Sequence, residues 1–383
     1  MRQSSLNFDT QFRSDITAVE LFAGIGGFRL AADRLGLRTI WANDLSSLSC
    51  KVYRDRFGPG EIREGDFREL LEEVPAHTLL SGGFPCQPFS SAGKKEGIRD
   101  ARGTLFQSIA DVVERHRPEH FVLENVKRLL TMERGTHFAT ILGALARLDY
   151  LVEWRLLNAM HFGLAQNRQR VFLVGTRLDR LQKSRKNLVD AVKLAQSNDF
   201  ETGSDIRETI DTPKNWRMIE RHKARFETWG LAIGDKFLAQ DPAAFSMARP
   251  AVFLQEVLEP TVGPEFDFTE STSKWLHENT PVNRFVQGVE ILSNQRGGAR
   301  MGYTIFGIAG VAPTLTSTTS RHYERYKVGD RYRRLTPVEY ARLQGFPDDH
   351  CRVASAYDRY ALLGNAVPPP MAQWVIDQVL KGD

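Results

Sequence analysis

Through its first 177 residues the chain alternates short apolar runs with amphipathic stretches, and this alternation limits the folds open to it more than any other feature. Residues 16–22 read as a strand that runs into a glycine-rich turn at 23–27, and residues 28–35 read as a helix. A second strand at 38–43 leads to a helix at about 46–57. Further strand candidates lie at 77–81, 119–123 and 171–174, with helical stretches at 105–115 and 136–148 between them. Such alternation predicts an α/β fold, a doubly wound and mostly parallel sheet covered by helices on both faces. Ligands of such sheets bind beyond the carboxyl ends of the strands. The residues expected there are Asp44, Glu124 and, after a short turn, Cys86.

The pattern breaks after about residue 177. From 181 to about 292 the sequence is polar, irregular and richer in Trp, Pro and charge, which predicts a second domain. Residues 294–334 hold eight Lys and Arg (Arg296, Arg300, Arg321, Arg325, Lys327, Arg331, Arg333, Arg334) against Glu324 and Asp330, with four tyrosines interleaved. Cations mixed with aromatics and glycines suit phosphate and base-edge contact, although a solvated basic face has the same composition. The net charge of +4 permits a nucleic-acid partner. Three cysteines without paired spacing argue against a disulfide scaffold or a zinc site and fit a reducing cytosol. No apolar run approaches the ~18–20 residues that span a bilayer, and the first 15 residues lack the apolar core of a secretion signal. The expected location is therefore cytoplasmic, with no membrane and no metal.

Five local constellations carry chemistry. Gly82-Gly83-Phe84-Pro85-Cys86-Gln87-Pro88-Phe89-Ser90 brackets a cysteine between prolines, and a stiff turn can hold a thiol in one place as a nucleophile requires. Phe22-Ala23-Gly24-Ile25-Gly26-Gly27 follows the first strand, and its glycines let a ligand approach the backbone at a helix N-terminus. Arg29 stands where a dinucleotide fingerprint has its third glycine, which disfavours a nicotinamide enzyme. Asp44 ends the second strand and is placed to accept from ribose hydroxyls, and Asp66 offers an acceptor for an adenine amine. Both also read as ordinary turn or cap acids. Glu124-Asn125-Val126 follows another strand, and in Gln166-Asn167-Arg168-Gln169-Arg170 an extended backbone would point both arginines the same way.

Taken in order, these blocks make the chain resemble the bacterial DNA cytosine-5 methyltransferases of the restriction-modification type. The resemblance covers nearly the whole chain. It also includes Arg102-Gly103-Thr104-Leu105-Phe106, Arg334-Leu335-Thr336-Pro337, Arg342-Leu343-Gln344-Gly345-Phe346-Pro347 and Gly364-Asn365-Ala366-Val367. It implies a catalytic and cofactor-binding domain at 1–178, a target recognition domain at 179–330, and a return to the catalytic domain at 331–383 that completes the cofactor pocket.

The activity implied is transfer of a methyl group from S-adenosylmethionine to carbon 5 of a flipped-out cytosine in double-stranded DNA. Cys86 would form the covalent adduct, and Glu124 would hold ring nitrogen 3. Arg168 would contact the base carbonyl oxygen, and Arg170 would support it. Phe22, Ala23, Gly24, Ile25, Gly26, Gly27, Asp44, Leu45, Asp66, Phe67, Pro85, Leu105, Asn365 and Ala366 would form the cofactor pocket. Three positions depart from the family pattern: Glu20 for the commoner Asp, Asp44 for Glu, and Leu45 for an aromatic. Residues 90–103 would form a lid, and Gln87, Ser90, Lys94, Arg99, Arg296, Arg300, Thr314, Leu315 and Arg321 would meet DNA. The family also implies a monomer and a cognate restriction endonuclease acting on the same site. Rival readings are a transfer-RNA cytosine-5 methyltransferase and a non-catalytic DNA-binding relative. Cys50 and Cys351 match no block and read as packing or surface residues.

Overall fold

The computed structural model describes residues 14–85, 105–184, 216–241, 251–270, 273, 279–295, 304–316 and 324–381. Its larger sheet begins with β1 (Thr17–Leu21), β2 (Arg38–Asp44), β3 (Ile62–Glu64), β4 (Leu79–Gly83) and β5 (His120–Val126), paired in the order β3-β2-β1-β4-β5 and parallel throughout. Parallel pairing demands a crossover between strands. These are α1 (Gly27–Arg34), α2 (Ser47–Phe57) and α3 (Leu105–His116), while α4 (Thr136–Ala146) follows β5. Side chains alternate across the sheet as the strand period requires. Ala18, Leu79 and Val122 face one core with Phe28 and Ala31 of α1 and with Met371, Val375 and Ile376 of the C-terminal helix Pro369–Lys381. Val19, Leu80, Phe121 and Leu123 face the other, with Ile109 and Val113 of α3 and Phe138 and Leu142 of α4.

Beyond β5 the sheet turns antiparallel. β7 (Gln169–Arg177) pairs with β5 on one side and β6 (Tyr150–Asn158) on the other. Sequence pattern points to the apolar centre of β7 but not to β6, where Glu153 and Arg155 interrupt the apolar run. The two sit 3.5 Å apart and let the Arg155 guanidinium be buried. β8 (Arg217–Met218), β9 (Trp229–Ile233) and β10 (Lys236–Gln240) then extend the same sheet in the order β6-β9-β10-β8. These residues belong by composition to the irregular segment beyond 178, yet β9 is apolar and pairs along β6. Gly230 lies against the Trp154 ring, where any Cβ would collide with it, and the Trp154 indole donates to Glu227 O at 3.0 Å.

A second sheet holds β11 (Asn279–Val286), β12 (Val289–Gln295), β13 (Thr304–Phe306), β14 (Arg325–Val328) and β15 (Arg331–Arg333) in that order. It meets the chain just before β7. Gln166 and Ala312 form a bridge, Thr314 Oγ1 donates to Asn167 O at 2.6 Å, and the Leu315 amide donates to Gln166 Oε1 at 3.1 Å. After β15 the chain returns through the helix Pro337–Gln344, whose start is fixed by Pro337 and by reciprocal bonds between Thr336 and Glu339. Among the described residues no helix is long and apolar enough to cross a membrane.

The C-terminal segment closes against the glycine turn so tightly that a Cβ at Gly27 would strike the Val367 carbonyl oxygen. Because that atom is backbone, it cannot rotate away. Gly27→Ala is expected to cost about 1–3 kcal/mol of stability, read as a lower thermal midpoint in calorimetry.

Candidate active site

At the carboxyl ends of the parallel strands lies a cavity of about 1110 Å³ that joins the glycine turn to the end of β5. Its floor is set by backbone geometry. Phe22 takes φ 53, unusual for a residue with a side chain, and its ring meets Phe67 edge-on at 5.5 Å. Gly24 follows at φ 55 with open space where a Cβ would project. The turn therefore uses glycine for conformation, and the space beside it remains for a ligand.

Asp44 ties the ends of β1 and β2 together. Its Oδ2 accepts from the Gly24 amide and its Oδ1 from the Ser46 amide, both at 2.8 Å. A carboxylate has about four acceptor sites, so this arrangement leaves capacity for two hydroxyls. Burial pushes the Asp44 carboxyl up, and the two amides oppose that shift. Leu45 stands beside it at the lip, 71% exposed. Asp66 lines the wall, but Arg68 holds its carboxylate through side-chain and backbone donors and brings it down to about 2. Ala23, Ile25, Gly27, Phe67, Pro85, Leu105, Asn365 and Ala366 also line the cavity. Gly26 lies behind the turn, against Tyr53 and Phe57. This arrangement fits an adenosine-bearing ligand, with an acid for ribose, an apolar lip and a glycine cradle.

At the other end of the cavity Glu124 is buried, and its Oε1 accepts from Arg170 Nε at 2.8 Å. Burial pushes the carboxyl up, while the cationic Arg170 and Arg168 pull it down. Gly83 leaves room for it: a Cβ there would come within 3.3 Å of Glu124 Oε2. Next to Glu124, Asn125 Nδ2 donates to Phe84 O at 2.9 Å and so fixes the chain two residues before Cys86. Cys86 itself lies outside the described residues, as do Gln87, Ser90, Lys94, Arg99, Arg296, Arg300 and Arg321 and the expected lid at 90–103.

Arg168 and Arg170 do not point the same way. The backbone before β7 is turned, with Arg168 N–H donating to Gln166 O at 3.1 Å and to Asn158 Oδ1 at 3.0 Å, so the two-residue period of a strand begins only at Gln169. Arg170 consequently faces the cavity. Arg168 is fully buried and donates to Leu315 O at 3.1 Å and to Gly364 O and Ala366 O at 2.9 Å each. Leu315 is buried as well, and Thr314 bonds to Asn167, so both occupy joining positions between the two sheets.

Several supports were not legible in the sequence. His350 lies 325 positions from Ile25, yet its Nε2–H donates to the Ile25 carbonyl at 2.6 Å, and burial holds the ring neutral by pushing it down to about 4. Gln166 bonds to Gln344 Oε1 and Leu343 O at 3.1 Å each. Glu20 is buried behind the turn and accepts from the Arg29 amide at 3.3 Å and the Tyr53 hydroxyl at 3.2 Å. Cys50 and Cys351 are buried, their thiols pushed up to about 12 by burial.

A family model for C-5 cytosine-specific DNA methylases matches residues 16–381. The type II methyltransferase M.HpaII of Haemophilus parainfluenzae is 31% identical, the match covering 96% of this chain and 90% of that protein. M1.ScrFI of Lactococcus lactis subsp. cremoris, another type II methyltransferase, is 30% identical over 98% of this chain and 80% of its own length. Among solved structures, the S. pombe Dnmt2 methyltransferase superposes with a TM-score of 0.61 at 16% identity, over 96% of this chain and 98% of that one, which is a likeness of fold.

Two outcomes follow from this geometry. Arg168→Met strands three carbonyls and should cost about 3 kcal/mol or more, whereas Arg170→Met, at the cavity wall, should lower the thermal midpoint less. Calorimetry of the two variants compares them directly. Glu20 is the pH-sensitive support: burial raises it from 4.5 to about 8. Within that window the folded chain keeps a proton that the unfolded chain releases, so stability falls as pH rises. Denaturant melts across the window should show a shallower fall for Glu20→Gln than for the wild type.

Proposed function

The chain belongs to the C-5 cytosine-specific DNA methylase family and is a DNA cytosine-5 methyltransferase, and from that premise we propose that it methylates a flipped-out cytosine through a covalent adduct with Cys86. The observation that carries this reading is the Glu124–Arg170 pair on the wall of the same cavity that holds the glycine turn and Asp44.

Carbon 5 of cytosine is a poor nucleophile and needs activation. Attack of the Cys86 thiolate on carbon 6 forms a sulfur–carbon bond and pushes the ring electrons toward carbon 5, which takes the methyl group. A base then removes the carbon-5 proton, the ring electrons return, and the thiolate leaves. Glu124 assists by holding the ring at nitrogen 3. Because burial raises its pKa, it keeps a proton more readily than a surface glutamate and can place it on nitrogen 3 as negative charge develops there. We assign the contact with the base carbonyl oxygen to Arg170, since Arg168 is committed to three carbonyls. A free cysteine thiol is ionised by only a few per cent at neutral pH, and the positive charge of Arg170 favours the thiolate.

S-adenosylmethionine is the donor we assign, and when bound it supplies an electrophilic methyl group. Asp44 would accept from its ribose hydroxyls, Leu45 and Phe67 would flank its adenine, and Asn365 with Ala366 would close the pocket. A target cytosine cannot reach Cys86 within a stacked duplex, so it must leave the helix at a cost of a few kcal/mol. Target reading falls to the second sheet, β11–β15, with β8–β10 remaining part of the catalytic sheet. We place the enzyme in the cytoplasm with the DNA, protecting it from a restriction endonuclease of the same specificity.

Bisulfite sequencing of plasmid DNA from expressing cells tests the reading. Protected cytosines in one sequence context, lost with Cys86→Ala, are expected. Equal protection with both proteins would remove Cys86 from the mechanism.

A further inference from the structure

The carboxyl rim of the larger sheet carries cations that the active site does not use. Past β5 the chain continues through the short helical turns Lys127–Leu130 and Met132–Gly135, and residues 221–228 lead into β9. These two segments form one surface. The Phe226 amide donates to Leu130 O at 2.9 Å, and Gly135 packs directly against the Ala224 carbonyl. Lys127, Arg128, Arg134, Arg221, Lys223 and Arg225 are all exposed on it.

Elsewhere in the fold many exposed arginines are answered by acids, as in Arg115–Glu72 and Arg352–Asp55. Here they are not. Among the described residues no carboxylate pairs with Arg128, Arg134, Arg221, Lys223 or Arg225, and Lys127 Nζ donates to the neutral Gln169 Oε1 at 2.9 Å. Of the acids on these segments, Glu220 pairs with Arg147 and Glu227 with Arg217, which leaves Glu133. Glu133 and Arg134 both hold positive φ, 47 and 54, which residues with side chains seldom adopt. Exposed like charges crowded in this way gain nothing for the fold itself.

Strand register fixes where the surface lies. Both β5 and β6 run antiparallel to β7, so both end on the same rim as Glu124 and Arg170, and β9 starts there because it runs antiparallel to β6. Lys127 begins the surface three residues after Glu124, and Val126 and Leu129 line the cavity itself. From β5 to β9 there are three strand spacings of about 4.8 Å, or roughly 14 Å. Duplex DNA rises 3.4 Å per base pair along each strand, so this reach is about four base pairs.

We propose that this rim is a second DNA-contact surface, gripping backbone phosphates about four base pairs from the flipped cytosine. The proposal rests on the reading of Glu124 and Arg170 as the target-base site. Phosphate contacts add affinity and orientation but carry no sequence information. The rim therefore holds the duplex while the second sheet reads it.

The test is the combined variant Arg134→Gln, Lys223→Gln and Arg225→Gln, with calorimetry to verify the fold. Equilibrium binding to a duplex carrying the methylated site with ten flanking base pairs on each side is measured over a range of salt. Each lost phosphate contact should reduce the slope of log affinity against log salt by about 0.9, and Kd should weaken roughly tenfold or more at low salt. The methylated position and the single-turnover rate at saturating DNA should be unchanged. A duplex with two flanking base pairs should bind both proteins equally. An unchanged slope and Kd would overturn the proposal. So would weakened binding to transfer RNA alone, or an equal loss on the short duplex. Wild-type methylation of the same duplex, scored in parallel, separates a failed rim from a failed enzyme.

Discussion

The arrangement of the whole molecule turns on one buried guanidinium. Arg168 reaches Leu315, 147 positions along the chain, and Gly364 and Ala366, 196 and 198 positions along it, through their backbone carbonyls. It thereby joins the start of β7, the junction with the second sheet, and the wall that closes the cavity. Burial disfavours its charge, and three carbonyl dipoles stand in for the water it has lost. Such a group is costly to strand, so the three segments hold one arrangement or lose the bonds together. Gln166 repeats the pattern with neutral groups, bonding the Leu315 amide on one side and Gln344 and Leu343 on the other.

That fixed frame is what allows Glu124 to sit buried beside Arg170. A lone buried carboxylate would take up a proton, and a fully paired one would stay charged. Glu124 lies between these limits, raised by burial and pulled back by two cations. A carboxyl raised by burial keeps a proton more readily than a surface one, which is what the role proposed for Glu124 requires. The frame serves the cofactor end in the same way. His350 and Gly27 press the C-terminal segment onto the glycine turn, so the pocket is completed by residues more than 300 positions away in sequence.

Much of this was legible in the sequence, and the reasons differ by element. The strands β1, β2, β4 and β5 are buried on both faces and read as apolar runs, and the glycine turn announces itself by composition. β6 was hidden because a buried Arg155 with its Glu153 looks polar in sequence. β8–β10 were hidden because the segments flanking them are charged. Residues 166–170 carry two arginines at strand spacing, and from spacing alone both face one way. A single turn at Gln166–Arg168 separates them, and local turns of that kind leave little trace in pattern. Asn125 and His350 act through long-range bonds to backbone, which no sequence period records.

The distribution of charge is harder to see from composition than from the fold. A net charge of +4 over 383 residues is small. Around the parallel half of the sheet, however, several cations are answered: Arg54 by Glu64, Arg68 by Asp66 and Arg115 by Glu72. Where the antiparallel strands meet the rim, by contrast, Arg128, Arg134, Arg221, Lys223 and Arg225 pair with no carboxylate among the described residues. At physiological salt, exposed charges act over about 8 Å, so a partner experiences the local cluster and not the average. A polyanion approaching the cavity from the side of β9 meets these unpaired cations, and a nearly neutral protein can in this way present a locally basic edge.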